Sequence, residues 1–283
     1  MTFEERFCDF RKTHPYNSVY ASGAEWRYLL TGKSGAYTLV FLNGGMNISE
    51  MWMDYIEQLA HEFQILMFDY PMEKKTCEDL ASGIIELFHT LNINRPILVG
   101  ASFGGLLSEV IARKAEGLVK GLVLLSTGGL DRNTIKSLKR KYFLAPLMLK
   151  YMERCNYEKL KPKMIRTGTS HTKHEPPEVQ AYVSDMFRVL FKSYTKKKDL
   201  HATGLLLNLF QVKPMVPEDF AYLKGKVLLM LPKHDFFSPR MQESLIALMH
   251  EPETIYIEGG HLGTVLKVEQ YSTAIRDFLS KLQ

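Results

Sequence analysis

Pro96-Ile97-Leu98-Val99-Gly100-Ala101-Ser102-Phe103-Gly104-Gly105 is the stretch that decides the fold. Its apolar start, Pro96 to Val99, reads as a short buried strand. Beyond it, Leu106, Leu107, Val110 and Ile111 recur at helical spacing, so a helix follows at once. Between the two lies Gly100-Ala101-Ser102-Phe103-Gly104, of the form Gly-x-Ser-x-Gly. A serine held on so sharp a turn needs neighbours two residues away that carry almost no side chain, which Gly100 and Gly104 supply. The turn lifts the Ser102 hydroxyl above the sheet edge, and the helix N-terminus aims backbone N–H groups at any anion formed beside it. The plainer alternative is a glycine-rich turn in which Ser102 merely caps a helix.

Working outward, the chain alternates strand and helix. Phe3, Phe7 and Phe10 form a short amphipathic lead-in, packed on the core or on a partner, and His14-Pro15 ends it. Val19 to Ser22 and Glu25 to Leu30 read as two opening strands, and Tyr37 to Leu42 as a strongly apolar third that runs into Asn43-Gly44-Gly45-Met46. A helix from about Ser49 turns Trp52, Tyr55, Ile56 and Leu59 inward and Glu50, Asp54 and Glu57 to another face. Phe63 to Phe68 is a strand, Thr76 to Leu91 a helix and Leu118 to Leu125 a strand. Strands this continuously apolar imply a mostly parallel sheet of eight strands with helices on both faces, an α/β fold.

From Leu130 to about Lys224 the pattern changes to basic, long-sided helices, interrupted by a polar loop at His171 to Pro177. Alternation resumes with strands at Lys226 to Leu231 and Thr254 to Ile257, and a helix from about Leu262 to Leu282 closes the chain. The expected division is a core of residues 1–130 and 225–283, with 131–224 inserted after the sixth strand as a helical cap over the carboxyl ends of the strands, where ligands bind.

A serine nucleophile needs a base, and the base needs an orienter. Asp235 lies just past the seventh strand, in Leu231-Pro232-Lys233-His234-Asp235, and His261 just past the eighth, in Glu258-Gly259-Gly260-His261. Both sit on loops fixed by rigid strands. Asp235 would hold His261 in one tautomer and stabilise the imidazolium formed when Ser102 gives up its proton. Asp69 and Asp131 also follow strands and compete as the acid, and His234 competes as the base. Donors for an oxyanion would be the Phe103 N–H and one from the Asn43–Met46 loop, with Gly45 chosen and Met46 close behind. A His171/His174 pair at helical spacing is a weaker candidate for a metal site than for a surface loop.

These residues together resemble the α/β-hydrolase fold superfamily, and in particular its single-domain serine hydrolases with a helical cap. The resemblance covers nearly the whole chain. It rests on Leu42-Asn43-Gly44-Gly45, Asp69-Tyr70-Pro71, the Gly100–Gly105 nucleophile elbow, His234-Asp235 and Gly260-His261, in family order. It implies acyl transfer to water with no metal or cofactor, through a catalytic triad of Ser102, Asp235 and His261 and an oxyanion hole of Gly45 and Phe103. Asn43 departs from the histidine that many members carry before the glycine. Ser102, where some branches have aspartate, sets the chain apart from haloalkane dehalogenases and epoxide hydrolases. The Phe41–Gly45 opening and the elbow also resemble maspardin-like members, and some proteins of the wider fold act as binding scaffolds.

The expected activity is therefore a carboxylesterase-like serine hydrolase cleaving an ester, thioester or related acyl bond of a small molecule with a hydrophobic part. Met46, Met148, Phe187 and Phe191 are the expected substrate contacts, drawn from apolar residues that would equally suit a cap's own core. Other chemistries on the same triad are carbon–carbon bond hydrolysis and acyl transfer. The non-catalytic alternative is an interaction module that docks through Phe3, Phe7 and Phe10 or through the basic cap.

Bulk properties narrow the partners. A net charge of +5 is modest, with lysines and arginines gathered between Arg132 and Lys198, most simply as a solvated helical face. No zinc finger, RNA-binding signature or phosphate loop accompanies them, so no nucleic-acid partner is expected. No apolar run is long enough to span a bilayer. Three widely spaced cysteines and a charged N-terminus without an apolar signal region imply a reducing, cytoplasmic setting.

Overall fold

The structure is a computed structural model and describes residues 2–173 and 175–282. In these residues the strands form one eight-stranded sheet in the order β1-β2-β4-β3-β5-β6-β7-β8. They are β1 (Asn17–Ala21), β2 (Ala24–Gly32), β3 (Thr38–Leu42), β4 (Gln64–Phe68), β5 (Ile97–Ala101), β6 (Gly121–Leu125), β7 (Val227–His234) and β8 (Glu253–Gly260). β1 and β2 join antiparallel, as do β2 and β4, and every pairing from β4 through β8 is parallel. The expected α/β architecture, mostly parallel, is what the chain adopts.

β3, β5 and β6 are buried at every position, because both faces of the sheet are covered. Successive side chains alternate between two cores. Val40, Leu42, Leu98 and Leu122 enter one core with α3 (Cys77–Thr90), α4 (Phe103–Lys114) and α10 (Pro239–Leu248). Leu39, Phe41, Val99 and Val123 enter the other with α1 (Phe3–Thr13), α2 (Met53–Leu59) and α12 (Val268–Lys281). The helix expected over Leu262 to Leu282 is broken. α11 (Gly263–Leu266) stops where Lys267 leaves the helical region, at φ −126° and ψ 39°, before α12 begins. The break frees Leu262, Thr264 and Val265 to face the cavity described below while α12 packs on the sheet.

Between β6 and β7 run α5 (Arg132–Lys141), α6 (Ala145–Arg154), α7 (Tyr157–Ser170), α8 (Pro177–Ser193) and α9 (Lys196–Asn208). α7 packs on α8 and α6 on α9. The end of this segment, Val212 to Leu223, is bound into the first core. Phe220 is buried there, and the Tyr222 hydroxyl donates to Ala112 O at 2.9 Å. At its start, the fully buried Glu109 accepts from Leu130 N–H at 2.9 Å. Burial raises its pKa well above the ordinary carboxylate value.

α1 is fastened inward. Thr2 and Glu5 cap it reciprocally, and Phe3, Phe7 and Phe10 are all buried, Phe3 edge-on to Tyr182 of α8. Each such ring contributes about 2 kcal/mol. That outweighs the exposed Lys192–Glu4 pair beside them, an interaction of the class that contributes about 0–1 kcal/mol. These phenylalanines are therefore internal packing and do not form the docking surface that the sequence left open. Among the described residues, no helix is long and apolar enough to cross a membrane.

Candidate active site

β5 carries the chain to Ser102, whose backbone sits at φ 55° and ψ −118°, a conformation that costs a non-glycine residue energy. Its neighbours hold it there. Ser102 N–H donates to Leu125 O at 3.0 Å, and Thr127 Oγ1 donates to Ser102 O at 2.9 Å. A side chain at Gly100 would collide with Gly104 O, and one at Gly104 with Leu42 O, so both positions require glycine. Phe103 opens α4, and its N–H has no acceptor within the helix.

The loop after β3 lies alongside. A Cβ placed on Gly44 would sit 3.8 Å from Ser102 Cβ, and Gly45 is exposed. Asn43 anchors this loop in place of a histidine. Its Nδ2 donates to Phe68 O at 2.7 Å and to Asn47 Oδ1 at 3.1 Å, and its Oδ1 accepts from Trp52 Nε1 at 3.2 Å. Tyr70 closes the network by donating its hydroxyl to Asn43 O at 2.9 Å and its N–H to Asn47 Oδ1 at 2.7 Å.

The next turn is braced from outside. Ser49 N–H and Oγ both donate to Asp69 Oδ1, at 3.2 and 2.8 Å, and Arg27 pairs with the same carboxylate at 2.7 Å. Glu50, only 2% exposed, is held by Arg11 at 2.8 Å and Arg27 at 3.1 Å. Burial opposes its ionisation, but Arg11 and then Arg27 hold its pKa below the ordinary carboxylate value. Glu50 thus faces inward, contrary to the solvent-facing position its helical spacing suggests.

Asp235 and His261 meet at the ends of β7 and β8. His261 Nδ1 lies 2.9 Å from Asp235 Oδ1 and 3.1 Å from Oδ2, with the carboxylate wholly out of solvent. Phe237 N–H donates to Oδ1 at 3.2 Å. An ionised carboxylate accepts only, so this contact fixes the proton on Nδ1 and leaves Nε2 as an acceptor. The Phe236 ring covers the imidazole, with centroids 4.0 Å apart. Behind the pair, burial and the charge of Asp235 push the Tyr271 phenol up to about 12. The competing acids have other partners: Asp69 those above, and Asp131 the N-terminus of α5, where it accepts from Asn133 N–H at 2.8 Å. His234 is exposed.

Residues 37–181, just over half of the chain, match the family described as alpha/beta hydrolase fold. The chain belongs to the α/β-hydrolase fold family. No curated protein matches its sequence. Among solved structures it is similar to a thermophilic esterase from Thermogutta terrifontis, at 20% identity and TM-score 0.72, over 94% of this chain and 98% of that one. It is also similar to the enol-lactonase of Burkholderia xenovorans, at 18% identity and TM-score 0.73, over 94% and 100%. A third similarity is to Bacillus megaterium epoxide hydrolase, at 16% identity and TM-score 0.68, over 94% and 100%. At these identities the likeness is one of fold.

In this α/β-hydrolase, Ser102 and His261 open into one cavity of about 500 Å³. Gly45, Met46, Phe187 and Phe191 also line it. Met148 does not. It lies on α6 with half of its surface exposed, because α6 turns Ala145, Leu149 and Met152 inward instead. The walls include residues that the sequence reading missed, among them Met164, Thr167 and Gly168 of α7, whose 3–4 residue spacing marks one helical face.

A neighbouring cavity of about 570 Å³ shares Asn47 and Ile48 with the first but does not reach Ser102, and its two arginines are paired with Glu50 and Asp69. His171 lines the Ser102 cavity, and His174 lies outside the described residues. Among the described residues no group of three or more His, Cys, Asp or Glu is arranged to hold a metal ion.

Proposed function

We propose that this α/β-hydrolase is a serine hydrolase that cleaves an ester, thioester or related acyl bond by way of an acyl-enzyme. The observation that carries the reading is that His261, held by the buried Asp235, opens into the same cavity as the strained Ser102. Ser102 Oγ attacks the acyl carbonyl while His261 Nε2 takes its proton, and Asp235 stabilises the resulting imidazolium. The oxyanion enters the N–H groups of Phe103 and Gly45. His261 then protonates the leaving group, which departs and leaves the acyl group on Ser102. Water attacks that ester as His261 takes its proton, and the carboxylic acid leaves with Ser102 restored.

The division that fits this reading is a core of 1–130 and 225–283 that supplies the chemistry, with 131–224 as a cap that supplies Phe187 and Phe191. Met46, Phe187 and Phe191 make the acyl side of the cavity apolar, which favours a small substrate with a hydrophobic part. The test is release of p-nitrophenol from a series of p-nitrophenyl esters of rising acyl length. The expected result is turnover that favours an apolar acyl chain over acetate, with Phe187→Ala raising KM more than it lowers kcat. Absence of hydrolysis across the ester series and a matching thioester series would overturn the reading.

A further inference from the structure

α6 presents an apolar stripe to solvent. Leu144, Leu147, Met148 and Tyr151 follow one another at three- and four-residue spacing and are 54, 62, 50 and 64% exposed, with Phe143 just before them at 71%. This is one continuous face of a short helix, whereas lone exposed apolar residues would be ordinary. The opposite side of α6 carries the packing, through Ala145, Leu149 and Met152 towards α9.

The segment that carries the stripe is basic. Arg132, Lys136, Lys139, Arg140, Lys141, Lys150 and Arg154 lie within α5, α6 and their connection, against Glu153 as the sole acidic residue of 132–154. Glu153 falls on the side of α6 away from the stripe by helical spacing. All seven basic residues are exposed, and none forms an ion pair among the described residues. Lys141 extends its ammonium over the Tyr142 ring, 5.3 Å from the centroid.

We propose that α5 and α6 form a docking surface for an anionic phospholipid bilayer. Large apolar side chains flanked by unpaired lysines and arginines are the composition of a helix that lies in a membrane interface, its apolar face among the acyl chains and its cations among the headgroups. The charge argues against a second copy of this chain, because a two-fold contact would set the same basic segment against itself. The surface stands close to the cavity mouth. α6 packs on α9, and a Cβ on Gly45 would lie 3.3 Å from Leu206 Cδ1 of α9.

The test is flotation of the purified protein with phosphatidylcholine vesicles, with and without phosphatidylserine. The protein should float with the anionic vesicles and bind neutral ones at least about tenfold more weakly, since each basic residue near an anionic surface raises partitioning about fivefold. Leu147→Asp with Tyr151→Asp should abolish binding, and Lys139→Glu with Arg140→Glu should weaken it and remove its salt dependence. All four positions are exposed, so circular dichroism should be unchanged. Absence of binding to anionic vesicles would overturn the proposal, as would binding that both double variants leave intact. So would a dimer in solution that Leu147→Asp dissolves while vesicle binding is absent.

Discussion

Ser102→Ala should lower hydrolysis of the best p-nitrophenyl ester by about 10⁴- to 10⁶-fold, because the covalent route is lost and only binding and oxyanion stabilisation remain. The fold should survive. Alanine has the same Cβ in the same strained backbone, and among the described residues the Ser102 hydroxyl makes no hydrogen bond that the change would break. Steady-state kinetics on wild type and variant, with thermal melting alongside, separates the two effects. A folded variant that keeps turnover within tenfold of wild type would mean that another group attacks the ester.

Asp235→Asn should cost about 10³- to 10⁴-fold in kcat with little change in KM. The asparagine Oδ1 can keep the hydrogen bond from Phe237 N–H, which directs the amide NH₂ at His261. Nδ1 must then accept, the ring proton moves to Nε2, and the nitrogen facing the cavity can no longer take a proton from Ser102. Among the described residues the fully buried carboxylate is paired only with His261 and the Phe237 N–H, so a neutral amide of the same shape is tolerated. The effect is read as kcat against KM over a pH series. A loss in KM alone would assign Asp235 to substrate binding, and an unchanged kcat would remove it from the proposed triad.

The parts legible in the sequence are those set by local rules. Gly100 and Gly104 around Ser102 mark a sharp turn because no other residue fits, and the flanking strand and helix appear where their apolar periods place them. Asp235 and His261 could be picked out because parallel strands deliver their carboxyl ends to one edge, and β7 and β8 are neighbours. The parts that escaped depend on what a face meets. Glu50 shares its helical side with the exposed Glu57, yet it is buried by Arg11 and Arg27, 39 and 23 residues away. The apolar side chain of Met148 suits a cavity wall, but its direction depends on how α6 packs, and α6 turns it to solvent. The same gap left Phe3, Phe7 and Phe10 open to a partner, whereas all three are buried where α1 packs on the core and on α8. Lys267 carries no breaker signature, so the division between α11 and α12 had no local mark.

The central claim is that Ser102 is an activated nucleophile, and a fluorophosphonate probe tests it most directly. Incubation of the intact protein with the probe, followed by proteolysis and mass spectrometry, should place a single adduct on the peptide containing Ser102. The adduct should be absent from Ser102→Ala and strongly slowed in Asp235→Asn. A folded protein that turns over esters but carries the adduct elsewhere, or that carries none, would contradict the assignment.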